Sequence, residues 1–180
     1  MEESRGKMYL KLLGAFLIVS AAYTYGYSIS LKYRKRVLQL EELLLGLEMF
    51  LAEVNYGLTP LPQAFRHIGR RLKDPLGRLF SDAAALMLKS RGLSARECWK
   101  KALKKNYDAL ELSREGMEIM DRLGFVWGKG DKSGQLNQIV VIQELLRQAL
   151  REAQNEYRRN DKMWKYLGLL GGLTMVIFLL

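Results

Sequence analysis

The sequence predicts an all-α protein: a bundle of roughly six helices set between an N-terminal transmembrane helix and a short C-terminal one. Three observations carry this reading. Apolar residues recur at spacings of three and four rather than in alternation, which is the helical period. The prolines are only Pro60, Pro62 and Pro75, so most of the chain is free of helix breakers. Two stretches, residues 12–31 and 166–180, hold no charged side chain.

Residues 1–11 form a charged flank with Glu2, Glu3, Arg5, Lys7 and Lys11. The uncharged run from Leu12 to Leu31 follows. At ~1.5 Å per helical residue it covers about 30 Å, the thickness of a bilayer core. Tyr23, Tyr25 and Tyr27 stand in its second half, where rings settle at a membrane interface. A cleaved signal peptide would end near the small pair Ser20 and Ala22. Here the run continues past Ala22 to Lys32, Arg34, Lys35 and Arg36, so it reads as an uncleaved anchor ending in a membrane-interface basic cluster. Such a cluster suits anionic lipid headgroups.

Residues 32–165 read as the helical domain. Leu40, Leu43, Leu44, Leu47, Phe50, Leu51 and Val54 make one amphipathic stripe over Val37–Val54, continuing from the anchor. Tyr56-Gly57 ends it. Thr59-Pro60 starts the next helix, with Thr59 as N-cap and Pro60 at the first helical position. Asp74-Pro75 starts another, with Leu76, Leu79, Phe80, Ala83, Leu86 and Met87 on one side. After the Gly92 break, Ser94-Ala95-Arg96-Glu97 is a capping box. Leu110–Trp127 supplies a further stripe, closed by Gly128-Lys129-Gly130. The last helix runs from about Gly134 to Tyr157, with Ile139, Ile142, Leu146, Ala149, Leu150 and Ala153 inward, and leads into the second uncharged run.

That run, residues 166–180, reaches only about 22 Å as a helix, short of the ~30 Å core. It reads as a C-terminal membrane anchor, its mismatch met by tilt, thinning, or snorkelling of Lys162 and Lys165. Gly168 and Gly172 make a G-x-x-x-G step with Gly171 beside it, a transmembrane helix-packing motif. Its natural partners are the first anchor or a second copy of the chain in a homo-oligomer.

The 180 residues carry 29 Lys+Arg and 19 Asp+Glu, a net charge of +10. Removing the charges of the N-terminal flank leaves residues 32–165 with 26 basic and 17 acidic residues, or +9. The Lys32–Arg36 cluster outweighs the positives before the first anchor. Positive-inside reasoning therefore puts the helical domain in the cytoplasm. The basic residues follow helical patterns with no aromatic-interleaved patch, which argues against a nucleic-acid partner. One cysteine, Cys98, excludes a disulfide framework and a multi-Cys metal site. One histidine, His67, excludes His-pair metal sites. Cys98 reads as a packing residue in a helix, and His67 as an interfacial or partly buried side chain.

Gly128-Lys129-Gly130-Asp131-Lys132-Ser133-Gly134 fails the phosphate-loop pattern, since no Gly-Lys-Ser/Thr forms at the right gap and no strand precedes it. Glu41, Glu42, Glu48 and Glu53 lack the Glu-x-x-His pairing of a di-metal bundle. The expectation is no enzyme, no cofactor and no metal.

Several stretches, in order, carry a family resemblance: Leu12-Leu13-Gly14-Ala15; Glu53-x-x-Tyr56-Gly57-x-Thr59-Pro60-Leu61-Pro62-x-Ala64; Gly128-x-Gly130-Asp131-x-x-x-Gln135; and Asn160-x-Lys162-Met163-x-x-x-Leu167-Gly168-x-x-Gly171-Gly172-Leu173. On these the chain resembles the stage III sporulation protein AB family, from Met8 to Leu180. Met8 is then an alternative native start. The resemblance implies a component of a mother-cell-to-forespore, secretion-like channel in sporulating bacteria, located in the mother-cell membrane around the forespore. It also implies a helical domain similar to those of type II secretion and type IV pilus platform proteins. The implied partners are the channel-complex ATPase, other membrane subunits of the apparatus, and lipid. The alternative reading is a membrane-associated sensor or anionic-lipid-binding scaffold.

Overall fold

Pro60, Pro75 and Gly92 stand between helices where the sequence predicts. The computed structural model describes the backbone of residues 2–56, 59–90, 92–127 and 132–179; side chains are described for most of these, but not for residues 2–13 or most of 167–179. Six α-helices and no strand occur among the described residues: α1 (Glu2–Tyr56), α2 (Leu61–Arg71), α3 (Leu76–Lys89), α4 (Ala95–Asn106), α5 (Arg114–Trp127) and α6 (Lys132–Leu179). The count of six includes the flanks. As the sequence reading expects, residues 12–31 run on into the first bundle helix and residues 166–179 follow directly from the last, as the outer parts of α1 and α6. Gly57 and residues 128–131 lie outside the described residues.

Two compact units result. Unit 1 is built from residues 1–34 and 154–180, unit 2 from Lys35–Ala153. In unit 1, Gly26 and Ser30 are buried and the Ser30 hydroxyl donates to the Asp161 carboxylate. Helical hydroxyls bond back to carbonyls one turn earlier: Thr24 to Ser20 at 2.6 Å, Ser28 to Thr24 at 2.8 Å and Thr174 to Leu170 at 2.8 Å. Such back-bonding hides polar atoms from an apolar surrounding. Phe16, Leu17, Tyr23, Tyr25, Tyr27, Tyr166 and Leu170 are exposed on the outside of this unit. Among the described residues, no helix is long and apolar enough to cross a membrane.

Unit 2 buries one ring from each of its first five helices. Phe50, Phe65, Phe80, Trp99 and Trp127 meet edge-to-face, with Phe65 against the other four at centroid distances of 5.0–6.1 Å. That geometry sets the positive edge of one ring on the negative face of the next. Around the rings pack Leu40, Leu43, Leu47, Ile68, Leu79, Met120, Leu123, Ile139 and Leu146. Of the predicted stripe residues, Leu51, Val54, Leu86, Met87, Ala149 and Leu150 lie at the half-buried margin of this core.

Two polar side chains order the connections. Gln39, 8% exposed, accepts from Glu111 N–H at 2.8 Å and donates to the Ala109 carbonyl at 3.2 Å. It thereby satisfies a loop that has no sheet or helix partner. Residues 110–113 are consequently not helical, and the stripe predicted from Leu110 becomes a helix only at Arg114. Asn106 donates to Asp82 at 2.9 Å and Lys105 reaches the same carboxylate at 2.8 Å, tying α4 to α3. Burial pushes the Asp82 carboxyl up, but the Lys105 and Asn106 hydrogen bonds outweigh it and hold the group below its ordinary value.

The Ser94–Glu97 capping box forms as expected: Ser94 Oγ accepts from Glu97 N–H while the Glu97 carboxylate accepts from Ser94 N–H. Gly92 precedes it at φ +102°, the left-handed region that favours glycine. The expected Thr59 cap does not form. Of the two N–H groups a cap at Thr59 could draw on, that of the third follower is missing because it is Pro62, which leaves Leu61 alone. Pro60 stands at the N-cap position of α2 instead, and Thr59 turns to Glu53.

Candidate functional site

The chemistry-bearing side chains of unit 2 gather first at the α1–α2 joint. Thr59 Oγ1 donates to Glu53 Oε2 at 2.7 Å, and Glu53 Oε1 lies 3.1 Å from His67 Nδ1. Nucleophile–base–acid triads place the imidazole between hydroxyl and carboxylate. Here the carboxylate is in the middle, bridging hydroxyl and imidazole, so that order is not reproduced. The cluster works as a fastener between the end of α1 and the start of α2. The Thr59 hydrogen bond, then that of His67, holds the Glu53 carboxyl below its ordinary value.

A carboxylate whose pKa falls on folding contributes stability that is complete above the ordinary glutamate value of about 4.3 and is lost as pH drops through the lowered value. Glu53→Gln is therefore expected to flatten the acid limb of thermal stability below about pH 4.3. Melting temperatures of both proteins across pH 3–7 check this; parallel acid limbs would refute the fastener.

Cys98 is fully buried in the first turn of α4, and burial pushes its thiol up, against the thiolate that nucleophilic chemistry needs. Among the described residues no group of three or more His, Cys, Asp or Glu is placed to hold a metal. What the geometry offers instead is surface.

A groove of about 330 Å³ runs between α5 and α6, lined by Arg122, Phe125, Val126, Gln138, Val141, Ile142 and Leu145. Phe125 is 53% exposed and Val141 61%, with Val140 beside them at 53%. The Arg96 guanidinium lies 3.6 Å above the Phe125 ring centroid, a cation–π contact that holds the ring outward. A pit of about 220 Å³ continues from Phe125 to Arg96, Lys100 and Asp121 on α4 and α5. The result is a largely apolar floor with a mainly basic rim. A second cleft, about 400 Å³, lies between α1 and the α2–α3 turn, lined by Lys35, Leu38, Glu42, Lys73, Asp74 and Arg78 among others; its charges are mixed.

The predicted basic cluster lies on one continuous stretch of α1, at the boundary of the two units. Lys32 and Arg34 are exposed in unit 1, whereas Lys35 and Arg36 belong to unit 2, with Lys35 on the rim of the second cleft and Arg36 half-buried. Of the predicted packing glycines, Gly171 faces open space; Gly168 and Gly172 have surroundings outside the described residues. The sequence reading missed the Phe125–Val141 groove. Its one signal was Val140-Val141, two adjacent apolar residues where a single stripe accommodates one.

The sequence profile of the stage III sporulation protein AB family matches residues 11–180. The stage III sporulation protein AB of Bacillus subtilis (strain 168) is 34% identical over 171 residues, covering 95% of this chain and 99% of that protein. A solved structure of a stage III sporulation protein AB superposes with a TM-score of 0.64 at 29% identity, covering 68% of this chain and 96% of the other.

Proposed function

This chain belongs to the stage III sporulation protein AB family, and from that premise we propose that it is a non-enzymatic membrane platform of the mother-cell-to-forespore channel. In this reading the outer parts of α1 and α6 anchor the chain in the mother-cell membrane around the forespore. The helical domain faces the cytoplasm and docks the channel-complex ATPase. The observation that carries it is the exposed groove of Phe125 and Val141, rimmed by Arg96, Lys100 and Arg122. Hot spots of protein interfaces are aromatic and apolar anchors at the centre of such patches. The basic rim selects an acidic partner surface and repels a basic one.

Crosslinking and co-purification with the ATPase from sporulating cells test the platform. Val141→Asp and Phe125→Ala, both at exposed positions, are expected to lower ATPase recovery at least about tenfold, the factor that ~1.4 kcal/mol represents. Unchanged recovery would move the docking face elsewhere. No association of the unaltered protein under any condition would remove the platform reading.

The exposed Lys32, Arg34 and Lys35 favour a second reading, an anionic-lipid-binding scaffold. It differs in requiring no ATPase association at all.

A further inference from the structure

Ser30 and Asp161 set the level at which the two long helices pass each other within unit 1. Ser30 is 4% exposed and its hydroxyl donates to Asp161. Ser30 lies near the end of the first stretch of the unit, and Asp161 near the start of the second. The two stretches share a compact unit only if they run antiparallel. Each advances by the same ~1.5 Å per residue, so Gly26 stands level with Lys165, Tyr25 with Tyr166, and Leu12 with Leu179.

That register moves the membrane boundary away from Leu31. The part of α1 from Tyr23 to Ser30 lies beside the part of α6 that carries Asn160, Asp161, Lys162 and Lys165. Charges are costly in a hydrocarbon core, and this level holds them together with three serine and threonine hydroxyls. Exposed tyrosines ring the same level: Tyr23, Tyr25 and Tyr27 on α1 and Tyr166 on α6, with Tyr23 and Tyr27 stacked at 6.4 Å. Such a belt marks an interface between lipid and water. Between it and Lys11 remain Leu12–Ala22 on one helix and Leu169–Leu179 on the other. Each is about 11 residues, or ~17 Å of helix, against ~30 Å for an ordinary bilayer core.

We propose that the flanking parts of α1 and α6 insert as a short antiparallel helical hairpin matched to a thin bilayer. Its boundary lies at the tyrosine belt, and the Ser30–Asp161 pair sits in the headgroup layer. This rests on the membrane reading above and adds to it a preference for lipid of small hydrophobic thickness. A short span in a thick bilayer forces thinning or aggregation, so partition falls as acyl chains lengthen.

The intact chain, mixed from detergent into phosphatidylcholine vesicles with 14-, 18- or 22-carbon monounsaturated chains, tests this by flotation. Environment-sensitive labels on cysteines placed at Leu17, Tyr25 and Met163 report depth, since all three positions are exposed and Cys98 is buried. The expected result is recovery several-fold higher with 14-carbon than with 22-carbon chains, a hydrocarbon signal at residue 17 and headgroup signals at 25 and 163. Recovery that is flat or rises with chain length, or a hydrocarbon signal at residue 25, overturns the short hairpin and leaves the membrane reading standing. No flotation in any vesicle overturns both.

Discussion

Gly77→Ala is expected to destabilise the helical domain by about 3 kcal/mol, with a matching fall in its urea midpoint. Gly77 lies where α3 crosses α2. A Cβ placed there would run into the Leu72 carbonyl oxygen and stand 2.9 Å from that of Gly69. Gly69 faces the same crossing: its added Cβ would lie 2.8 Å from the Ser81 backbone nitrogen and 2.9 Å from the Gly77 carbonyl. The obstacles are backbone atoms, so no rotamer change relieves them. The two helices must separate, and the contacts of Phe65, Ile68, Leu79 and Phe80 loosen together. Gly171→Ala is the control, because its added methyl meets open space. Equal midpoints for Gly77→Ala and the parent protein would show that the crossing can yield.

Phe65→Ala is the second large effect, at about 3–5 kcal/mol. The ring is fully buried and is the hub of the aromatic core, with Trp127 at 5.0 Å, Phe80 at 5.1 Å, Trp99 at 5.8 Å and Phe50 at 6.1 Å. Truncation removes the transfer free energy of a benzyl group and leaves a cavity walled by four rigid rings, which collapse poorly into it. Against a typical total stability of about 5–15 kcal/mol, this is enough to leave a substantial unfolded fraction. Phe65→Leu should recover part of the loss by filling volume without the edge-to-face contacts. Equilibrium urea unfolding of the three proteins checks the order; a loss under ~1 kcal/mol for the alanine variant would refute the hub.

The helices were legible because apolar spacing reports local burial, and the Ser94 box because both of its partners lie within one turn. The Thr59 cap misled for an equally local reason, the missing N–H of Pro62. The aromatic core was not legible as a unit. Phe50, Phe65, Phe80, Trp99 and Trp127 each occupy an ordinary inward position on a different helix, and only the helix crossings decide that five rings share one place. The same holds for Gln39, a polar residue beside an apolar stripe whose use becomes clear only once Ala109 and Glu111 lie against it. Gly26 and Ser30 do have the spacing of a small-residue packing step, but on sequence alone Gly168 and Gly172 had it equally. The burial of Gly26 and Ser30 and the Ser30–Asp161 hydrogen bond show the first step packed within unit 1, whereas the surroundings of Gly168 and Gly172 lie outside the described residues.

The indole pair at the centre of unit 2 has a further consequence, in optics. Trp99 and Trp127 lie 5.9 Å apart at 66°, close enough for their electronic transitions to couple, and the rigid angle between them gives the coupling a fixed handedness. Their polar ends differ: Trp99 Nε1–H donates to the Met120 carbonyl at 2.8 Å, while Trp127 Nε1–H meets no acceptor among the described residues. Two chromophores so close, both buried but unequally hydrogen-bonded among the described residues, make the domain its own spectroscopic reporter. A chiral signal from the coupled indoles vanishes as soon as the five helices stop holding their rings at fixed angles, even where the helices themselves survive.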